Sequence, residues 1–177
     1  MKMSLFKYGI VLAMVVGMAA GPAFAQRPIG DYATADKATT AVESGSGSIA
    51  LSYAAVSYKA GTTFTRMTEG TYPEQFMAMH RPHMRQMCTL VVKGADYKLC
   101  GVTIAPGTYK GGFDIAEPGK WTMIFMDGDK EIARIPVIMQ KGETASPSLV
   151  IALLPTAKGQ AGVMVCYGPN CAVVTEN

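Results

Sequence analysis

Residues 96–129, DYKLCGVTIAPGTYKGGFDIAEPGKWTMIFMDGD, restrict the fold more than any other part of the chain. Three turn signals cut this stretch: Ala105-Pro106-Gly107, Glu117-Pro118-Gly119 and Asp127-Gly128. Proline presets φ, and glycine supplies the positive φ that a tight reversal needs. Between the turns the side chains alternate. Tyr109, Gly111 and Phe113 point one way, and Trp121, Met123 and Phe125 share one face against Thr122, Ile124 and Met126. The pattern predicts a β-meander with the only tryptophan at its centre.

The flanking sequence continues the two-residue rhythm. A strand is expected over 49–58, a second short one over 62–68 around Phe64, and a third from Cys88 through Val92. Residues 93–96 are expected to turn the chain back into a strand over 97–100. A further strand covers 131–140, with Pro136 implying an edge or a bulge. Residues 147–154 are almost all apolar and predict a strand covered on both faces. Residues 162–166 and 171–175 are expected to form a last hairpin around Tyr167-Gly168-Pro169-Asn170. Eight or nine short antiparallel strands with one Met-rich helical or loop segment predict an all-β sandwich, with an open barrel as the alternative.

The ends of the chain give an address. Lys2 and Lys7 precede the apolar run 10–16, and Ala23-Phe24-Ala25 is a small-x-small cleavage site, so residues 1–25 read as a signal peptide. The run is too short to span a bilayer, and no cysteine follows the cleavage site to carry a lipid anchor. The expected product is exported, to the periplasm or the medium, without a stable membrane anchor. Lys2 and Lys7 leave with the leader, so sixteen basic residues become fourteen against thirteen acidic, a net of +1. No basic, aromatic-interleaved cluster marks a nucleic-acid surface. Residues 26–48, ending in Ser44-Gly45-Ser46-Gly47-Ser48, read as a flexible linker, which leaves 49–177 as one domain.

The run Gly101-Val102-Thr103-Ile104-Ala105-Pro106-Gly107-Thr108-Tyr109, followed by Trp121-Thr122-Met123-Ile124, resembles a family of secreted bacterial β-sandwich domains of unknown function (DUF2911-like). The run Gly162-Val163-Met164-Val165-Cys166-Tyr167-Gly168 is similar to that family's last hairpin. The likeness is carried by 101–125 within a span of 49–174. It implies the sandwich fold and export, and carries no activity with it.

Four cysteines in an exported chain favour disulfides. The expected hairpins place Cys88 opposite Cys100 and Cys166 opposite Cys171, and each short loop would contribute roughly 2–3 kcal/mol. The chemically distinctive stretch is 77–88, which holds both histidines and four of the nine methionines beyond the leader. Thioether and imidazole together select Cu(I), which makes Met77, Met79, His80, His83 and Met84, with Met87 beside them, a candidate copper set. A helix starting near Pro73 is expected to break near His80, because the Pro82 ring clashes with the Ala78 carbonyl. Against copper stands plain packing, since methionine fills irregular gaps at the end of a sandwich.

Catalytic patterns are thin. The sequence has no G-x-S-x-G elbow and no H-E-x-x-H, and both histidines lie within four residues of each other. Asp114 and Glu117 are the nearest pair of acids and read as turn-flanking surface groups. The expectation is therefore a non-enzymatic binding or structural module for an unknown protein or small ligand. Its alternatives are a periplasmic copper protein using 77–87 and a hydrolase with an unrecognised site.

Overall fold

A computed structural model describes residues 31–176; the expected signal peptide and its cleavage site lie outside the described residues. Two sheets face each other. One has six strands: β1 (Lys37–Ser44), β2 (Gly47–Ala54), β3 (Cys88–Gly94), β6 (Gly107–Glu117), β7 (Lys120–Asp127) and β8 (Lys130–Ile138), hydrogen-bonded in that order. The other has four, in the order β5 (Val102–Ile104), β4 (Tyr97–Leu99), β10 (Gln160–Val174) and β9 (Gln140–Ala157). All pairings are antiparallel except β4 with β10. A 3₁₀ turn (Asp31–Ala33) and two helices, α1 (Thr63–Thr68) and α2 (Glu74–Met84), complete the described chain. This is the all-β sandwich with a short Met-rich helix.

The meander forms as its alternation requires. Trp121, Met123 and Phe125 of β7 face inward beside Tyr109, Phe113 and Ile115 of β6, and Trp121 is only 3 % exposed. Leu149, Ile151 and Leu153 of β9 and Val163 and Val165 of β10 meet them from the other sheet. Each such side chain, removed from water, contributes about 1.5–3 kcal/mol. At Gly111 the ring of its register partner Phe125 lies across the strand, and a Cβ there would stand 2.7 Å from both Phe125 Cε1 and the Ile124 carbonyl oxygen. Only glycine leaves room for that ring. Pro136 sits in β8, which pairs on one side only, where a missing N–H breaks no ladder.

Several local expectations give way to tertiary contacts. The linker expected over 26–48 is strand from Lys37 onward, because β1 pairs with β2 along its whole length and buries Val42. Residues 63–68 form α1, not a strand. Phe64 and Met67 turn inward one helical turn apart, and Asp31 Oδ1 accepts the Phe64 N–H at 3.0 Å. Helix α2 continues through Pro82. Ala78 and Pro82 both lie on its exposed side, so the carbonyl that loses its amide partner is on the side open to water. Strand β9 buries Leu149, Ile151 and Leu153 on one face only; Val150 and Ala152 stay half-buried.

The cysteines divide. Residues 93–96 do not close a hairpin but carry the chain from one sheet to the other, since β3 pairs with β2 and β6 while β4 pairs with β5 and β10. Cys88 and Cys100 therefore end in different sheets as separate buried thiols, and the expected bond between them is absent. Cys166 and Cys171 are joined, with Cα atoms 4.1 Å apart. They belong to one strand: β10 stays on β9 throughout, and 167–170 bulge out between register breaks instead of forming a hairpin.

Candidate functional site

The open end of the sandwich near α1 carries the densest group of polar aromatic side chains. Phe64 lies at its centre, with ring centroids 5.0 Å from Tyr167, 5.9 Å from Trp121 and 6.2 Å from Tyr32, all close to edge-on. Edge-on pairs of this kind add about 0.5–1.5 kcal/mol beyond the area they bury. The Tyr167 hydroxyl lies 2.6 Å from Thr65 Oγ1 and donates to the Ser57 carbonyl at 3.2 Å. Burial pushes the Tyr167 phenol up to about 12.

Beside this group opens a small cleft of about 60 Å³. Its walls include Tyr58, Glu69, Trp121, Met139, Tyr167 and Asn170. The Tyr58 hydroxyl donates to Glu69 Oε1 at 2.9 Å and ties the end of β2's following segment to the end of α1. The opposite wall is the 167–170 bulge, closed by the Cys166–Cys171 bond. Gly168, at φ +55°, is pressed against Tyr58; a Cβ there would stand 2.6 Å from Tyr58 Cδ2 and 2.7 Å from Cζ. Trp121 Nε1 is buried and has no hydrogen-bond partner among the described residues. A buried donor without an acceptor costs about 1–3 kcal/mol.

On the α2 side, His80 is held between two tyrosines. Tyr32 Oη is 2.6 Å from Nδ1 and Tyr72 Oη is 2.8 Å from Nε2. With a neutral ring one tyrosine donates and the other accepts. Both nitrogens are thus engaged by hydroxyls, and the imidazole, 5 % exposed, ties the 3₁₀ turn, the start of α2 and the core together. Burial, with Asp31 and Tyr72 adding to it, raises the Tyr32 phenol to about 12.

The candidate copper set is split by this arrangement. Met77, His80 and Met84 are buried on the inner side of α2, and Met87 is buried just beyond it. Met79 and His83 are exposed on the other side. Turning about 100° per residue puts the two sets on different faces of a helix about 10–12 Å across, so the five residues do not converge. No group of three or more His, Cys, Asp or Glu side chains gathers among the described residues. Asp114 is half-buried under Arg85, which donates to it at 2.5 and 3.2 Å, while Glu117 pairs with Lys120; the two acids do not work as a pair.

Sequence reasoning missed the Tyr58–Glu69 and Tyr32–His80–Tyr72 contacts. Tyr32 lies 48 positions from His80 and Thr65 lies 102 from Tyr167, and no local pattern reports such distances. The turn residues Gly168 and Pro169 between two cysteines were the one local signal for the cleft wall. The chain matches no family model, no curated protein and no solved structure.

Proposed function

We propose that the chain is an exported, non-enzymatic binding module whose ligand site is the aromatic cleft between Tyr58, Trp121 and Tyr167. The observation that carries this reading is the cleft lined by Tyr58, Trp121 and Tyr167, one wall of which, the 167–170 bulge, is held by a disulfide. A cleft this small, with mixed polar and apolar lining, suits a small neutral molecule. Glu69 at the rim disfavours anions. Export rests on the Lys2/Lys7 region, the apolar run and the Ala23-Phe24-Ala25 site. It is consistent with a structural disulfide and with the absence, among the described residues, of a helix long and apolar enough to cross a membrane.

Trp121 is the only tryptophan and therefore reports on the cleft directly. Titrating the full chain with a panel of small amides, alcohols and ketones is expected to give a saturable change in its emission for at least one member. Replacing Tyr58 by alanine is expected to weaken that change. A panel with no saturable response, or a response that Tyr58→Ala leaves intact, overturns the assignment. Cell fractionation with N-terminal sequencing checks export independently: the secreted form should begin at Gln26, and an intact Met1 in the cytoplasm would refute it.

A further inference from the structure

The geometry points to a second, independent site: Met79 and His83 on the exposed face of α2 form a two-donor site for a soft monovalent metal ion, Cu(I). Packing accounts for the other methionines. Met67, Met77, Met84, Met87, Met123 and Met139 are at most 8 % exposed, and Met126 and Met164 are half-buried. Among the described residues Met79 alone is open, at 60 %. His80 is engaged by two tyrosines, whereas His83 stands exposed in the last turn of α2. The thioether and the imidazole that the core does not use are therefore four residues apart on one helix. That spacing brings two side chains to neighbouring positions, with Cβ atoms about 5–6 Å apart, and it is the spacing by which helices present paired metal ligands elsewhere. Sulfur and imidazole nitrogen suit Cu(I), which accepts few and soft ligands.

The nearby side-chain charges are balanced. Arg81 and Arg85, the cationic neighbours, have their charges matched, Arg81 by Glu74 at 3.2 Å and Arg85 by Asp114 at 2.5 Å. Phe76, 42 % exposed and one turn before Met79 on the same face, supplies an apolar flank. Binding here forms two coordinate bonds and transfers no electron. The site shares no residue with the cleft, so either assignment can fail alone.

The test is a competition between the full-length chain and bathocuproine disulfonate for Cu(I), kept reduced by ascorbate without oxygen. One ion per chain is expected. Met79→Leu and His83→Gln should each weaken binding by at least about tenfold, since even outer partners of metal ligands are worth 10–100-fold. Met77→Leu should leave it unchanged, and absorption at the copper edge should report one sulfur and one nitrogen donor. Met79 and His83 are exposed, so those two variants should melt with the parent, and the near-isosteric exchange at buried Met77 should leave the fold intact. Failure to retain Cu(I) against the competitor, or equal retention in Met79→Leu and His83→Gln, overturns the proposal.

Discussion

Replacing Gly112 by alanine probes how α2 is seated on the six-stranded sheet. Gly112 lies on the outer face of β6, directly beneath the end of the helix. A Cβ there would overlap the Met84 carbonyl oxygen and stand 2.8 Å from the Met84 carbonyl carbon and 2.9 Å from that of Arg85. All three are backbone atoms, so no rotamer change relieves the overlap, and the end of α2 must lift. Overpacking of this kind costs about 1–3 kcal/mol. Lifting also opens the cover over Ile124, the register partner of Gly112, which is fully buried; losing part of its burial adds about 1 kcal/mol or more. The Arg85–Asp114 pair, partly exposed, adds at most a few tenths to about 1 kcal/mol. The expected loss is roughly 3 kcal/mol, or a fall in Tm of about 6–12 °C for a domain of this size. Thermal unfolding followed by far-UV circular dichroism measures it. Gly128→Ala is the control: it has φ +57° and nothing within 4 Å of a Cβ, so only backbone strain of about 1–2 kcal/mol applies. A Gly112→Ala melt within about 2 °C of the parent, or a loss no larger than that of Gly128→Ala, refutes the seating.

Four further outcomes follow from the same geometry. Thiol titration should find no reactive cysteine in the native chain and two per chain after unfolding without reductant, from Cys88 and Cys100; zero or four would contradict the observed bonding. Removing the Cys166–Cys171 bond by double alanine substitution should cost about 2 kcal/mol for so short a loop, seen as a lower denaturant midpoint. Tyr32→Phe withdraws the hydroxyl from His80 Nδ1 and should cost about 1–3 kcal/mol. In a His80→Leu background the same change should cost far less, and equal costs in the two backgrounds would show that the pair is not coupled. Stability should decline above about pH 10. Burial raises Tyr32, Tyr167 and Cys88 to about 12, so the unfolded chain releases these protons first and the native state loses its advantage between the ordinary phenol and thiol range and about pH 12. Denaturant midpoints that stay level from pH 9 to 11.5 would refute that burial.

The layered architecture was legible because period-two alternation and Pro/Gly corners are local. Residues 107–127 carry both, and they became β6 and β7 with Trp121, Met123 and Phe125 inward as the alternation requires. Sheet membership was not legible. The segments 88–94 and 97–99 are adjacent in sequence, yet hydrogen bonding to β2 and β6 claims one and to β5 and β10 claims the other. A short loop between two strands reads as a hairpin unless the crossing partners are known. The error over Cys88 and Cys100 follows from that alone. Strand β1 was missed because its residues are small and polar and bury only Val42, so the pairing, not the side chains, makes the strand.

The Met/His segment shows how one residue can decide a functional reading. Pro82 argued for a break, after which a loop could fold Met79, His80, His83 and Met84 around a single ion. A proline inside a helix removes one hydrogen bond and crowds the carbonyl four residues back, and that cost is lower where the carbonyl can tilt out to water. Position 78 is on the open side, so α2 continues, and a continuous helix fixes the angle between every pair of ligands. Once the phase is fixed, His80 must point at the core, where Tyr32 and Tyr72 meet both its nitrogens, and His83 must point away, beside Met79. Packing takes one side of the eleven-residue helix, and the proposed Cu(I) pair lies roughly a quarter-turn round from it, so each can be tested without altering the other.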